Sequence, residues 1–577
     1  MTLFAGVVSI AGQIPVPEGL AAEISGAISR YPGDKPRIVQ GDTHFIAQVV
    51  LPTEFVSCRY EDASGNSTVL AGEPLFPSTA RTEVELLHQA LLAGDDAFLA
   101  RSCGSYCAAH WNAGDKRLVL VADRLGLRPI YFGVHSGMFF FSTALRVLEK
   151  LGVLTHRIDV RGVTEIAAFG YPLASRSPYE AIRTIEAGEL VEVAPSGVQS
   201  RHYWRWSRIP AAGVADEDLP RAVYQSFMTA IDRRLRGETQ ALAGLSGGLD
   251  SRCVVAGLRE RGAEVHTLNF APVGSEDLEL GKIAASALGT RHFEFSAGPA
   301  DFWDRMQAAH QAWLQQIPAT ERSRQTHRLW SGDGGSCVLG HIYISDHIIG
   351  LMRDGNTGAA IDAYLEKNRI GVPGRLFVSR ERERVLAYPR SGVSEGLQRL
   401  DGADATRRLH VFLLVNGQRR LLSKHYENID LRRFEVITPF FDSDMVQLIL
   451  GSPIEGFLHH RFYNRWLQEF QPAVAGIPWQ AYPGHEPCPV PKPEGLRSQW
   501  DGWYDAKASS EIEKRNLTLA GELLRDPSLP AYLINRNVLR LARLLTGWRL
   551  GDYTHVIKCA ATFARYAAAT PASGRGR

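Results

Sequence analysis

The sequence predicts two structural halves of different build: an α+β first half rich in antiparallel sheet, and an α/β second half with a parallel, doubly wound sheet. Three observations predict it. Up to about residue 200, short β-like runs alternate with turn residues. From about Arg221 onward, strands and helices take strict turns, the pattern of a parallel sheet covered by helices. Between the first strand and the next helix of that alternation stands Leu245-Ser-Gly-Gly-Leu-Asp-Ser-Arg252, a composition suited to gripping phosphate.

In the first half, apolar alternation marks strands at 4–10, 45–51, 118–122, 139–142 and 189–193, and helical spacing marks 82–93 and 162–169. The second half reads as helix 221–235, strand 239–245, helix 251–261, strand 264–270, helix 277–288, strand 291–296 and helix 301–316. Beyond about residue 350 the pattern is largely helical, with helices near 530–548 and 552–568 and a proline-rich interruption at 478–493. The division is therefore 1–205, 206–568, and a small polar tail, 569–577, expected to be disordered.

The octapeptide carries the chemistry. Gly247 and Gly248 remove side chains so that backbone N–H groups can approach phosphate oxygens, and Ser246 and Ser251 add hydroxyls beside a helix N-terminus. Asp250 is the odd member: a carboxylate beside a polyphosphate repels it unless a cation intervenes, so Asp250 reads as a Mg²⁺ ligand. The plain alternative is a glycine-rich turn in which Ser or Asp caps the helix.

Composition sets the bounds. At 577 residues, 45% hydrophobic and a net charge of +2, the chain can bury large cores and has no charge bias toward nucleic acid or membrane. No apolar run reaches the roughly 18 residues of a membrane span, and the start lacks a signal pattern, so the expected location is the cytoplasm. Seven scattered cysteines suggest reduced thiols, and the lone Cys103-x-x-x-Cys107 pair has no partner pair for zinc. The histidines, His459-His460 among them, read as core or surface residues.

Taken together the two halves resemble the asparagine synthetase family. The resemblance rests on Ala5-Gly-Val-Val8, Thr82-Glu-Val-Glu-Leu-Leu87, the run Leu118 to Phe132, and Ala181 to Leu190 leading to Tyr203-Trp204. In the second half it rests on Ser246 to Ser251, Ser275-Glu-Asp277, Leu288 to His292, Ser331-Gly-Asp-Gly-Gly335 and Pro439-Phe-Phe-Asp442. It implies an N-terminal nucleophile-like glutaminase-type domain followed by an ATP pyrophosphatase (PP-loop) synthetase domain with a helical C-terminal part. It also implies ATP and Mg²⁺ as cofactors.

Departures from the family shape the expected reaction. Glutamine-hydrolysing members carry Cys after the initiator Met, whereas Thr2 stands here; Ala71-Gly72-Glu73 replaces the family's Asn-Gly-Glu, which supplies an oxyanion amide. Without released ammonia, the amine must arrive with the substrate. The segment Gly476 to Pro489 and the run Gly334 to Ile342 resemble lasso peptide cyclases. That likeness implies adenylation of an Asp or Glu side chain of a precursor peptide, then macrolactam closure by its N-terminal amine, with a leader peptidase and a leader-binding protein as partners. β-Lactam-type or ammonia-using asparagine synthetases, and a non-catalytic nucleotide-binding protein, are the alternatives.

The resemblance places ATP on Leu245, Ser246, Gly247, Gly248, Asp250 and Ser251, with the adenine near Leu268, Asn269 and Phe270 and with Gly332 close by. Asp333 takes a second acidic role, as proton acceptor for the amine or as a further Mg²⁺ ligand with Asp250. Ser336 stands where many relatives carry a metal-binding Asp. No lysine occupies the family's late position near Trp479-Gln480, so Lys492 or His485 is the expected substitute, and Lys424 matches another lysine position upstream of Glu435.

Overall fold

The computed structural model describes residues 2–51, 57–77, 81–295, 301–498 and 506–568. The expected disorder of 569–577 lies outside the described residues.

Strict alternation builds the first half. In the strand Thr2–Ser9, Phe4 and Val8 face one core while Leu3, Ala5 and Val7 face another, as a period of two requires. The strand lies inside a six-stranded antiparallel sheet, paired with His44–Val50 and Met138–Ser142. A second six-stranded sheet, which includes Ser67–Gly72, Tyr106–Asn112 and Arg117–Ala122, packs against it through Val69, Ala71, Cys107, Ala109 and Leu120. Helices Glu18–Ala27 and Leu145–Lys150 cover the outer face of the first sheet, and Glu83–Ala93 covers that of the second. The result is a four-layer α/β/β/α stack.

The second half holds five parallel strands in the spatial order Arg291–Glu294, Glu264–Asn269, Gln240–Gly244, Arg328–Trp330, Glu435–Ile437. The chain builds outward from Gln240–Gly244 in one direction, then returns to add Arg328–Trp330 on the other side. Strand order therefore reverses between these two neighbours, and the crevice beyond their C-terminal ends is where such sheets bind ligands. Helices from Asp346 onward form the last part. The final helix, Thr554–Ala568, packs back against Val160–Phe169 of the first half, with Tyr566 set edge-on to Tyr179.

Two boundaries differ from expectation. Leu249, Asp250 and Ser251 belong to the helix Leu249–Glu260, because Gly248 in extended conformation serves as its N-cap; Asp250 thus sits in the first turn and not in the connecting loop. The helix expected from 530 begins at Arg536, where the Asn535 side chain accepts from Asn537 N. No helix among the described residues is long and apolar enough to cross a membrane.

Candidate active site

The strands Gln240–Gly244 and Arg328–Trp330 are register partners, with Leu242 opposite Leu329 and Ala243 opposite Trp330. Their exits therefore lie side by side, which brings the 245–248 loop against 331–335. Contact is close enough to require glycine. A Cβ on Gly332 would lie 2.6 Å from Ser251 N, and one on Gly335 would lie 2.4 Å from Asp250 Cγ.

The phosphate loop is organised from within. Ser246 N donates to Ser251 Oγ at 3.1 Å, and Gly248 N donates to Ser246 Oγ at 3.2 Å. No side chain caps the helix Leu249–Glu260, so its first-turn N–H groups are left for an anion. A Cβ on Gly247 would meet Glu276 O at 2.6 Å, so only glycine lets the loop pass the next helix. Leu245 N donates to Leu268 O at 2.9 Å, tying the loop to the neighbouring strand.

Arg252 is a structural residue that sequence reasoning left without a role. Fully buried, its guanidinium donates to the carbonyls of Gly247, Gly248, Ile477 and Pro478 at 2.7–3.2 Å. One side chain thereby fastens the proline-rich segment onto the loop, and Gln480 N adds a bond to Gly247 O at 3.1 Å. Burial without a carboxylate partner lowers its pKa to about 10, yet it stays charged at neutral pH. The signal was in the sequence, since an arginine directly after the serine lies one turn along from Gly248.

Asp250 accepts from Ser336 N at 2.9 Å, Ser336 Oγ at 3.0 Å and Tyr463 OH at 2.8 Å. Burial pushes its carboxyl up to about 6, and the charge of Asp333 adds to the rise. Asp333 is itself raised by burial, with Ser331 Oγ donating to it at 2.8 Å. Two adjoining carboxylates whose partners are hydroxyls and a backbone N–H are a donor set that fits a hard divalent cation. Ser336 bonds Asp250 through both its N–H and its hydroxyl. Tyr463 and Tyr482, which also bonds Ser336, had no recognisable signal in the sequence. A different grouping, Cys103 with Asp442 and Asp444, is committed to Arg233 and Arg234.

Other expected residues fall into four groups. Lys492 reaches the site's edge: its Nζ lies 2.5 Å from Oε1 of Glu276, at the start of the helix packed on Gly247. Leu268 and Asn269 end the neighbouring strand; the Asn269 amide is fixed between Asp277 O and Ala271 N, and Phe270 follows with its ring against Phe302. Lys424 is exposed on the helix Arg419–Tyr426, and no described hydrogen bond or ion pair joins it to the loop. His485 lies among other histidines near Tyr482.

In the first half, Thr2 is buried within its strand, and Ala71 packs in the core between the sheets. Glu73 is paired with Arg328 and Arg236 of the second half, and Arg328 holds its carboxyl down to about 2 against the effect of burial. Arg128 pairs with Glu435. Both ion pairs grip the N-terminal ends of the strands whose far ends line the crevice.

This fold joins a double-sheet half to a parallel-sheet half whose glycine-rich loop lies at the crevice. The glutamine amidotransferase domain model matches residues 67–204, and the asparagine synthase model matches residues 222–332. Both matches point to similarity with asparagine synthetases. Glutamine-hydrolysing asparagine synthetase 3 of Bacillus subtilis is 26% identical over 31% of this chain and 29% of its own length. Glutamine-hydrolysing asparagine synthetase 2 of Arabidopsis thaliana is 24% identical over 35% of this chain and 32% of its own. The chain thus spans about a third of the length of these relatives. Among solved structures, the Bacillus subtilis glutamine phosphoribosylpyrophosphate amidotransferase matches 52% of this chain and 91% of its own, at 11% identity and a TM-score of 0.26.

Proposed function

We propose that the chain is an ATP-dependent amide ligase that closes a macrolactam in lasso peptide biosynthesis. It adenylates an Asp or Glu side chain of a precursor peptide and joins it to the peptide's own N-terminal amine, releasing AMP and pyrophosphate. One contrast supports the reading. The phosphate loop and its acidic neighbours are assembled, whereas Thr2 and Ala71 replace the groups that release ammonia, and Glu73 is occupied by arginines. The amine then has to come with the substrate.

In this reading the loop N–H groups and serine hydroxyls hold the triphosphate, and Lys492 lends positive charge at its rim. Asp250 would hold Mg²⁺, which neutralises phosphate charge when bound. A side-chain carboxylate oxygen bonds to the α-phosphorus while the bond to the bridging oxygen breaks, and pyrophosphate leaves. The amine nitrogen then bonds to the acyl carbon, the carbon–oxygen bond to the phosphate breaks, and its electron pair departs with AMP. Asp333 takes the proton that the amine sheds. A leader peptidase and a leader-binding protein would supply the trimmed peptide.

The test is ATP-dependent loss of one water from a leader-free peptide, read by mass. A linear product with unchanged mass refutes ring closure. A second reading, an asparagine synthetase or small-molecule β-lactam-type synthetase using free ammonia or its substrate's own amine, is favoured by the names of the relatives. Pyrophosphate release with aspartate and ammonium in place of peptide would select the asparagine synthetase.

A further inference from the structure

Beside Asp250 lies a second cluster that adenylation does not use. Tyr463, which bonds Asp250, has its ring 5.7 Å from that of His460; His460 is 5.2 Å from Tyr482 and 4.6 Å from His485. Gly340 packs on His460, whose Cδ2 a Cβ there would meet at 3.1 Å, and His341 follows with its ring against His410. Two observations mark this place as built. His341, His459 and His460 all hold left-handed backbone, with φ of 40°, 56° and 62°, a conformation that costs non-glycine residues free energy and concentrates at functional positions. The second is unspent polarity: Nε2 of His460, Nδ1 of His485 and both ring nitrogens of His341 are buried and bonded to no other described residue. His341 and His460 are 1% and 3% exposed.

The strain is held from outside. His459 accepts from Glu486 N at 3.1 Å through its carbonyl, its ring bonds Gly484 O at 3.1 Å, and its other nitrogen pairs with Asp346. Asn464 Nδ2 secures Glu486 at 2.7 Å. This frame turns His460 toward Tyr482 and His485.

Building on the function proposed above, we propose that His460 and His485, with His341 behind them, form the seat of the attacking amine. A primary amine brings N–H donors and one lone pair. Imidazole nitrogens accept the former and leave the latter to the acyl carbon. No carboxylate of the cluster faces inward, since Asp346 and Glu486 are spent on His459 and Asn464. Burial keeps the rings neutral, holding His460 down to about 3 and His485 to about 4, and the same dry surroundings favour amine over ammonium. Hydrogen bonds to the rings position the nitrogen, and the proton it sheds passes to Asp333.

The test uses the full chain, ATP, MgCl₂ and a synthetic linear peptide with a free N-terminal amine and an internal Asp or Glu that elicits pyrophosphate release. His460→Asn is expected to keep pyrophosphate release within about twofold while ring closure falls about tenfold for the lost hydrogen bond, so that AMP accumulates as hydrolysed adenylate. His460→Gly, which removes ring and strain together, is expected to uncouple in the same way. Concentrated hydroxylamine should capture the acyl group equally well in wild type and variants. Closure that stays coupled to pyrophosphate release in these variants overturns the amine seat. If the wild type responds to aspartate and ammonium but to no peptide, the peptide reading fails; uncoupled asparagine formation by the same variants would then assign the seat to ammonia.

Discussion

The Tyr463 hydroxyl donates a 2.8 Å hydrogen bond to Oδ1 of Asp250 across 213 positions of sequence. Tyr463→Phe preserves volume and removes only that donor. Pyrophosphate release is expected to fall about tenfold and the Mg²⁺ requirement to rise, because a buried carboxylate loses one of its three donors. Steady-state pyrophosphate assays across a Mg²⁺ titration would show it, and unchanged kinetics would mean the tyrosine merely fills space.

Gly335→Ala places a methyl group 2.4 Å from Asp250 Cγ. Adenylation should drop by about a hundredfold as the carboxylate is displaced. Gly371→Ala, where nothing lies within 4 Å, serves as the control. Circular dichroism on both variants separates a local shift from unfolding.

Arg252→Met exchanges four carbonyl contacts for an apolar side chain of similar length. Loss of these bonds should destabilise the protein by about 2–4 kcal/mol and raise KM for ATP. Urea melts and ATP titrations are the measurements, and a wild-type KM in a folded variant would contradict the role given to the clamp.

Lys492→Ala is expected to slow pyrophosphate release about tenfold at nearly constant stability, since its pair with Glu276 is partly exposed. Lys424→Ala, on an exposed position outside the loop's hydrogen bonds, should leave the rate within about twofold. Equal losses in both would move the phosphate contact elsewhere.

Glu73 gives the pH dependence. Its folded pKa of about 2 lies below the ordinary value of 4.5, so the unfolded chain binds the proton more readily. Its contribution is fully present above about pH 4.5 and vanishes as pH falls through about 2. The shift corresponds to on the order of 3 kcal/mol. Unfolding free energies between pH 6 and pH 3 should therefore fall less steeply in Glu73→Gln than in wild type, though from a lower starting point because Arg328 loses its partner.

Much of this was legible in the chain. The alternation from Arg221 to Gln316 gave strand and helix limits to within two residues or so, because strong apolar periodicity leaves little choice of element. The need for glycine at 247 was readable, because the close approach of Glu276 O admits no side chain there. Tyr463 was not, since its meaning comes from Asp250, 213 positions away, and a lone tyrosine on a helix looks like any core residue. His459-His460 read as ordinary core or surface histidines, as no local pattern announces left-handed backbone in non-glycine residues. Asp250 was assigned a loop position because its place in the first helical turn depends on Gly248 acting as cap.

The pairing of Glu73 with Arg328 has a temporal side. The two residues are separated by 255 positions, and domains fold largely in the order in which the ribosome delivers them. By that order the first half builds its sheets before Arg328 reaches Glu73 and before Glu435 reaches Arg128. Its docking face stays unfinished for most of synthesis and is sealed by the strands that carry the glycine loop. Expressed as separate pieces, the halves would each carry uncompensated charge on this face, so their reassociation should be tight and should weaken as salt is raised.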